Sequence, residues 1–206
     1  MANYVYNSVS ISTETKEQLD QLMLDLAKPY NFTSKVYLEP RVSSKSEYRT
    51  EERKSEFSFN NIIPAPVGTP EYDEYELPGG ATSQKWYDWN VKNWDTKWDA
   101  ADVAVNRLDN TQVVYSFSTA WSPPVAVITK LAQLYPNFEI SFGFEEEQGW
   151  GAEMESPRGD SKLHETKSWD IPASHADYKA LDRECNCEFE DDKDYWFADC
   201  PTQENN

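Results

Sequence analysis

The side chains of this chain best suited to chemistry are carboxylates, a few cysteines and histidines, and a high density of tryptophan. Cys185, Cys187, Cys200 and His175 form the sharpest metal candidate, because thiolates and an imidazole can complete a zinc tetrahedron. Their spacing matches no known finger, and Cys-x-Cys lacks the usual two-residue knuckle. Unligated cysteines are the plainer reading, and no cofactor is expected. Acyl transfer has little footing, with two histidines, no Gly-x-Ser-x-Gly and no histidine beside a nucleophile in a motif. Phosphate-cradling glycine loops are absent as well. Among 37 Asp and Glu residues, any pair nominated for acid–base work is arbitrary, because charge runs are more often solvated faces. The expectation is a protein that is not an enzyme.

Recognition remains. The net charge is −18 and is unevenly placed: residues 1–136 hold 18 acids against 13 bases, and residues 137–206 hold 19 against 6. Such a field repels nucleic acid and anionic membranes and attracts basic proteins. Glu145, Glu146, Glu147, Glu188, Glu190, Asp191, Asp192 and Asp194 are the candidate partner-binding carboxylates. The stretch WYDWNVKNWDTKW (residues 86–98) packs four tryptophans and a tyrosine into thirteen positions. Rings at that density fill a core, form a recognition surface, or both. Tyr87, Val91, Trp94, Trp98 and Ala101 share one helical face, which predicts that they point inward. Trp86 and Trp89 lie off that stripe and are the candidates for an exposed aromatic surface.

These groups need a scaffold, and the patterning supplies one. Tyr4–Ile11 reads as a strand with Val5, Val9 and Ile11 inward. Ser12 or Thr13 caps a helix whose stripe is Leu19, Leu22, Met23 and Leu26 and which Pro29 terminates. Phe57–Ile63 reads as a buried strand, followed by a Pro- and Gly-rich loop from Pro64 to Gln84. Thr111–Thr119 is a strand rich in β-branched residues. Ser122 as N-cap and Pro123 at the first helical position start a helix with Val127, Ile128, Leu131 and Leu134 inward. Phe138–Phe144 and Trp150–Met154 follow as a hairpin. Two β-α-β halves on an antiparallel sheet predict an α+β, ferredoxin-like sandwich with two helices. It spans residues 1–156, with a Trp-rich helical insertion at 64–101. Residues 157–206 form an acidic C-terminal appendage. No run reaches the roughly 18 apolar residues of a membrane span, the start lacks a signal-like pattern, and cysteines are few. A soluble cytoplasmic protein is expected.

Asn3 and Asn7, the segment WYDWNVKNWDTKWDA, TAWSPP (119–124) and GFEEEQGWGAE (143–153) together resemble the YubB-type ferredoxin-like family of phage and conjugative-plasmid proteins. The resemblance covers roughly residues 1–155 and implies a ferredoxin-like fold and a mobile-element origin, with no catalytic residues to carry over. It departs at Asp95, where the family tends to have Gly, so a helix ending at Trp94 would do so under strain. The company that plasmid members keep implies a role against host defence.

The reading that follows is a protein that uses an acidic surface to bind and inhibit a host defence or nucleic-acid-handling protein with a basic surface, imitating nucleic acid, in the host cytoplasm. The alternative is an RNA- or DNA-binding module using the basic 41–54 segment (Arg41, Lys45, Arg49, Arg53 and Lys54) and rings on the sheet, with Phe57, Phe59, Tyr115 and Phe117 as candidates.

Overall fold

Strand β1 (Tyr4–Ser12) sets the frame by strict alternation: Val5, Asn7, Val9 and Ile11 are buried, while Tyr4, Tyr6 and Ser8 on the other face are exposed. The computed structural model describes residues 3–37, 46–69, 72, 85–171 and 180–181. In chain order β1 is followed by α1 (Lys16–Leu26), β2 (Tyr30–Tyr37), β3 (Ser46–Arg53), a 3-10 turn at Phe59–Asn61 and α2 (Lys85–Trp94). Then come β4 (Ala101–Arg107), β5 (Gln112–Ala120), α3 (Val125–Leu134), β6 (Glu139–Glu146), β7 (Gly151–Ser156) and β8 (His164–Trp169). Six strands form one sheet in the order β4-β5-β1-β6-β7-β8, every pairing antiparallel. Its strands β6-β1-β5-β4 with α1 and α3 make the ferredoxin-like arrangement, an α+β domain. The hairpin β2-β3 is a separate sheet in the stretch between α1 and β4.

The core lies between the helices and one face of the sheet. Leu19, Leu22 and Leu26 of α1 and Val127, Ile128 and Leu131 of α3 meet Val9, Ile11, Val113, Tyr115, Ile140 and Phe142. Burying each large apolar side chain contributes about 1.5–3 kcal/mol. Phe57 and Phe59 join from the loop side. Phe57 stacks on Phe117 with centroids 5.0 Å apart, and Phe59 meets Trp94 edge-on at 5.8 Å.

Several expectations shift. The cap of α1 is Thr15, not Ser12 or Thr13, in a reciprocal capping box with Gln18. Phe57–Ile63 is not a strand: its rings plug the core from an irregular stretch, and burial alone gave them a strand-like pattern. The second strand of the ferredoxin-like frame is β4, which the helical reading of Ala101 had hidden. Leu134 is exposed, and Ala132 takes the inward place on α3. Beyond residue 156 the sheet continues through β8, whose Trp169 lies over Gly151. A Cβ at Gly151 would run into the Phe144 carbonyl and come within 2.6 Å of the Trp169 ring.

The asparagines of the first strand have structural roles. Asn7 donates through Nδ2 to the Val5 carbonyl at 2.9 Å and to Thr119 Oγ1 at 3.0 Å, and Thr119 in turn donates to the Ser122 carbonyl at 2.9 Å. Asn3 donates to Glu146 Oε1 at 2.7 Å.

Asp95 carries the strongest local constraint. It ends α2 with φ 62°, a left-handed conformation costly for a residue with a Cβ. Its carboxylate compensates, because Oδ2 accepts from the Ala126 amide at 2.6 Å. It thereby caps α3, whose own N-cap, Pro124, has no side-chain cap. The cap expected of Ser122 is therefore supplied from outside the helix, while the Ser122 hydroxyl donates to the Asp95 carbonyl. Asp95→Ala should cost about 1–3 kcal/mol, from the lost cap and the unrelieved backbone. Asp95→Gly should recover about 1 kcal/mol of that by accepting the left-handed conformation. Urea denaturation checks both, and equal losses in the two variants would contradict the left-handed geometry.

Candidate functional site

The aromatic-rich stretch builds a pocket rather than a flat surface. Helix α2 offers Trp86, Asn90 and Trp94, and the turn after it offers Trp98 and Asp99. Tyr30, Phe32 and Arg53 come from β2-β3, and Asn60 and Tyr72 complete the wall. The cavity holds about 170 Å³. Trp86 and Trp89, the candidates for an exposed aromatic surface, are half-buried and pack against the core. Trp86 lines the pocket, and Trp89 stands behind it, edge-on to Tyr72 at 5.7 Å and to Trp94 at 5.6 Å. The helical stripe is rotated accordingly: Asn90 and Trp94 are buried and Val91 is exposed. The stripe had been read through Asp95, where the helix stops.

Asp99 organises this site. Its Oδ1 accepts from the Phe59 amide at 2.6 Å and the Ala100 amide at 2.8 Å, and its Oδ2 from Ser58 Oγ at 2.5 Å and the Tyr30 hydroxyl at 3.2 Å. Burial pushes its pKa upward against the opposing pull of these four donors. None of the ion pairs among the described residues includes Asp99. Tyr72, Asn90 and Trp94 in the wall are also engaged. The Tyr72 hydroxyl donates to Asn90 Oδ1 at 3.1 Å, Asn90 Nδ2 to the Lys97 carbonyl at 2.8 Å, and Trp94 Nε1 to the Ile63 carbonyl at 2.9 Å. Desolvation pushes the Tyr72 hydroxyl up to about 12, so it remains a neutral donor. Arg53 lies 3.6 Å over the Phe32 ring while its Nε donates to Glu51 at 2.7 Å.

From the pocket rim a string of rings leads toward the sheet. Trp86 meets Tyr87 at 6.0 Å, Tyr87 meets the exposed Trp121 at 5.9 Å, and Lys97 Nζ lies 5.2 Å from Trp98 and 4.7 Å from Trp121. Trp121 has φ 69° and donates its amide to the Asn3 carbonyl at 2.9 Å, next to exposed Tyr4.

The nominated carboxylates divide. Glu146 is withdrawn from any contact surface: it is buried, with Oε1 taken by Asn3 and Oε2 accepting from the Gln148 amide at 2.6 Å. Glu145 is half-buried on the opposite face of the same strand, and Glu147 is exposed in the β6–β7 turn. Glu188, Glu190, Asp191, Asp192 and Asp194 lie outside the described residues, as do Cys185, Cys187, Cys200, His175, Arg41 and Lys45. Among the described residues no cluster of three His, Cys, Asp or Glu could hold a metal ion. His164 Nε2 lies 2.7 Å from Asp160 Oδ2.

On the sheet face away from the helices, strand register aligns Ser12 with Glu139, Ser10 with Ser141, Ser8 with Gly143 and Tyr6 with Glu145. Across β7, Glu155 stands beside Ser141 and Glu153 beside Gly143. No described element covers this face. The rings proposed for base stacking are absent from it, since Phe57, Phe59, Tyr115 and Phe117 are all buried in the core.

Residues 93–186 match the family model described as the ferredoxin-like domain in Api92-like protein. The match begins at the end of α2 and runs past β8, leaving β1 and α1 outside it. Protein api92 from Yersinia pseudotuberculosis is a similar solved structure, at 18% identity and a TM-score of 0.40. The likeness covers 54% of this chain and 40% of that one. No curated protein matches. No helix among the described residues is long and apolar enough to cross a membrane.

The electrostatics of Asp99 give a pH test. Its folded pKa is raised above the unfolded value near 3.8, so the folded state holds the proton longer. Stability should therefore fall as pH rises from about 4 through the raised value and level off above it. Asp20, Asp109 and Asp160 are lowered, by hydrogen bonds first of Lys16, Thr111 and His164 respectively, so their contributions are lost only as pH falls below 3.8. Denaturant midpoints against pH should show the downward limb in the parent chain. In Asp99→Asn that limb should be absent, with a general loss of about 1–3 kcal/mol from mismatched donors.

Proposed function

We propose that the protein is a non-enzymatic accessory protein of a phage or conjugative plasmid, of the YubB type. In the host cytoplasm it occupies a basic surface on a defence or nucleic-acid-handling protein. In this reading the Trp-rich segment is an insertion into the ferredoxin-like frame, and the residues after 156 are an acidic appendage.

One observation carries the reading. The uncovered sheet face sets Glu139 and Glu145 on β6 and Glu153 and Glu155 on the neighbouring β7, beside the exposed rings of Tyr4 and Tyr6 on β1. Carboxylates in a fixed array attract Arg and Lys, steer encounter and reject anionic polymers, while tyrosines supply apolar area at low entropic cost. Lys167, opposite Glu153 on β8, is the cation the register sets within this array. The net charge of −18 strengthens the same preference. Serines at the centre of the face, where a base-stacking protein would need rings, argue against the nucleic-acid reading.

Affinity capture from host lysate should return a basic protein whose retention weakens steeply as salt rises. The triple variant Glu139→Gln/Glu153→Gln/Glu155→Gln should lose about tenfold or more in affinity for that protein and flatten the salt dependence. Retention that is indifferent to salt and to the triple variant would refute the proposal. So would a gel shift of RNA or DNA at low salt.

A further inference from the structure

We propose that the aromatic pocket binds a quaternary ammonium group, supplied by a trimethylated lysine of the basic partner. Size, ring chemistry and the state of the hydrogen-bonding groups converge on this ligand. The cavity of about 170 Å³ is comparable to the roughly 150 Å³ cavity known to admit benzene, which leaves room for one compact, ring-sized group. Rings of Tyr30, Phe32, Tyr72, Trp86, Trp94 and Trp98 surround it. Such rings attract a cation through their negative faces, most strongly where water is excluded.

The polar groups choose among cations. A carboxylate offers about four acceptor sites, and all four of Asp99 are filled, by Phe59, Ala100, Ser58 and Tyr30. Asn90 Oδ1 and Asn60 Oδ1 each already accept one hydrogen bond, from Tyr72 and from the Ala65 amide. A primary ammonium or a guanidinium would enter with several N–H donors and meet only the second lone pairs of these amides and neutral phenol oxygens, and an under-paired donor costs most on a charged group. A quaternary ammonium has no N–H and makes no such demand, yet keeps its charge. That charge meets the field of Asp99, which has no ion-pair partner among the described residues. An anion is opposed by Asp99 and by the whole chain. Among the described residues the cation in the wall is Arg53, already paired with Glu51 and stacked on Phe32, an internal case of a cation held by this aromatic lining.

A protein lysine as the source rests on the proposed function; the quaternary ammonium chemistry does not. Calorimetry of the full chain with Nα-acetyl-trimethyllysine amide, its unmethylated counterpart, its neutral tert-butyl isostere, tetramethylammonium and choline separates these points. The trimethyllysine amide should bind at least about tenfold tighter than the lysine amide and the isostere. Tetramethylammonium should compete with it, and choline should bind no tighter. Trp86→Ala, at the half-exposed rim, should abolish the heat and lower the thermal midpoint through the core packing it gives up. Arg53→Gln, which removes the competing cation, should strengthen binding.

Equal affinity for the isostere would overturn the role of charge, and equal affinity for lysine would overturn the role of methylation. No heat from any probe at millimolar concentration would overturn the site. Tighter binding of choline would overturn the protein source. The ligand ranking in the parent chain stands even where a variant fails to fold. Loss of the small-cation signal with salt-sensitive capture intact refutes the pocket alone, and the reverse refutes the acidic-face reading alone.

Discussion

The carboxylate of Asp99 ties together three segments remote in sequence: Tyr30 at the start of β2, Ser58 and Phe59 at the 3-10 turn, and Ala100 at the entry to β4. Burying a carboxylate is costly, and hydrogen bonds to the charged form are what make it tolerable. The pocket wall depends on this tie. Without it β2-β3 loses its hydrogen bond to the Trp-rich turn and keeps the ring contact of Phe32 with Tyr72, and Phe59, whose ring meets Trp94, loses its amide partner. Asp95, four residues earlier, makes the companion connection from the end of α2 to the start of α3. Two aspartates thus anchor the Trp-rich segment, one to the hairpin and one to the helix layer.

The frame was legible where one periodicity runs uninterrupted through an element. Leu19, Leu22 and Leu26 mark α1, the β-branched run at 112–120 marks β5, and Val127, Ile128 and Leu131 mark α3. It was illegible where a single residue resets the phase. Asp95 turns left-handed, and the helical stripe drawn from Tyr87 to Ala101 passes straight through that break. The rotation of the tryptophans and the strand identity of ADVAVNR were lost together, although Ala101, Val103 and Val105 alternate with more exposed neighbours. The pocket was out of reach for another reason. Its residues span positions 30–99, and among so many acids nothing in the pattern singles out Asp99. The available signal was local: Asp immediately before a strand, in a tryptophan-dense turn that must tie its amides somewhere.

Charge count and charge placement carry different information. EEE at 145–147 looks like one acidic cluster, but strand alternation sends Glu145 to the open face and Glu146 into the structure, and the turn exposes Glu147. Register instead brings Glu139, Glu153 and Glu155 to the same sheet face as Glu145 from separate positions in the chain. The same alternation removes the stacking platform, because the inward positions of β5 carry Tyr115 and Phe117 and the outward ones Ser116 and Ser118. One backbone can present either surface; the parity of ring and serine along β1 and β5 decides which.

Lys97 and Trp121 join the two proposed recognition features. Trp121 is anchored to Asn3 at the edge of the open face, and through Tyr87 and Lys97 it contacts the rim residues Trp86 and Trp98. A bulky residue at positive φ is costly and persists only when its surroundings over-determine it. Here the amide bond to Asn3, the edge contact with Tyr87 and the Lys97 ammonium do so together. An extended basic segment lying on the carboxylates would follow these rings toward the pocket, so two weak contacts would act on one ligand. The second contact then forms at the high effective concentration set by the first, and affinity rises without either site being strong alone.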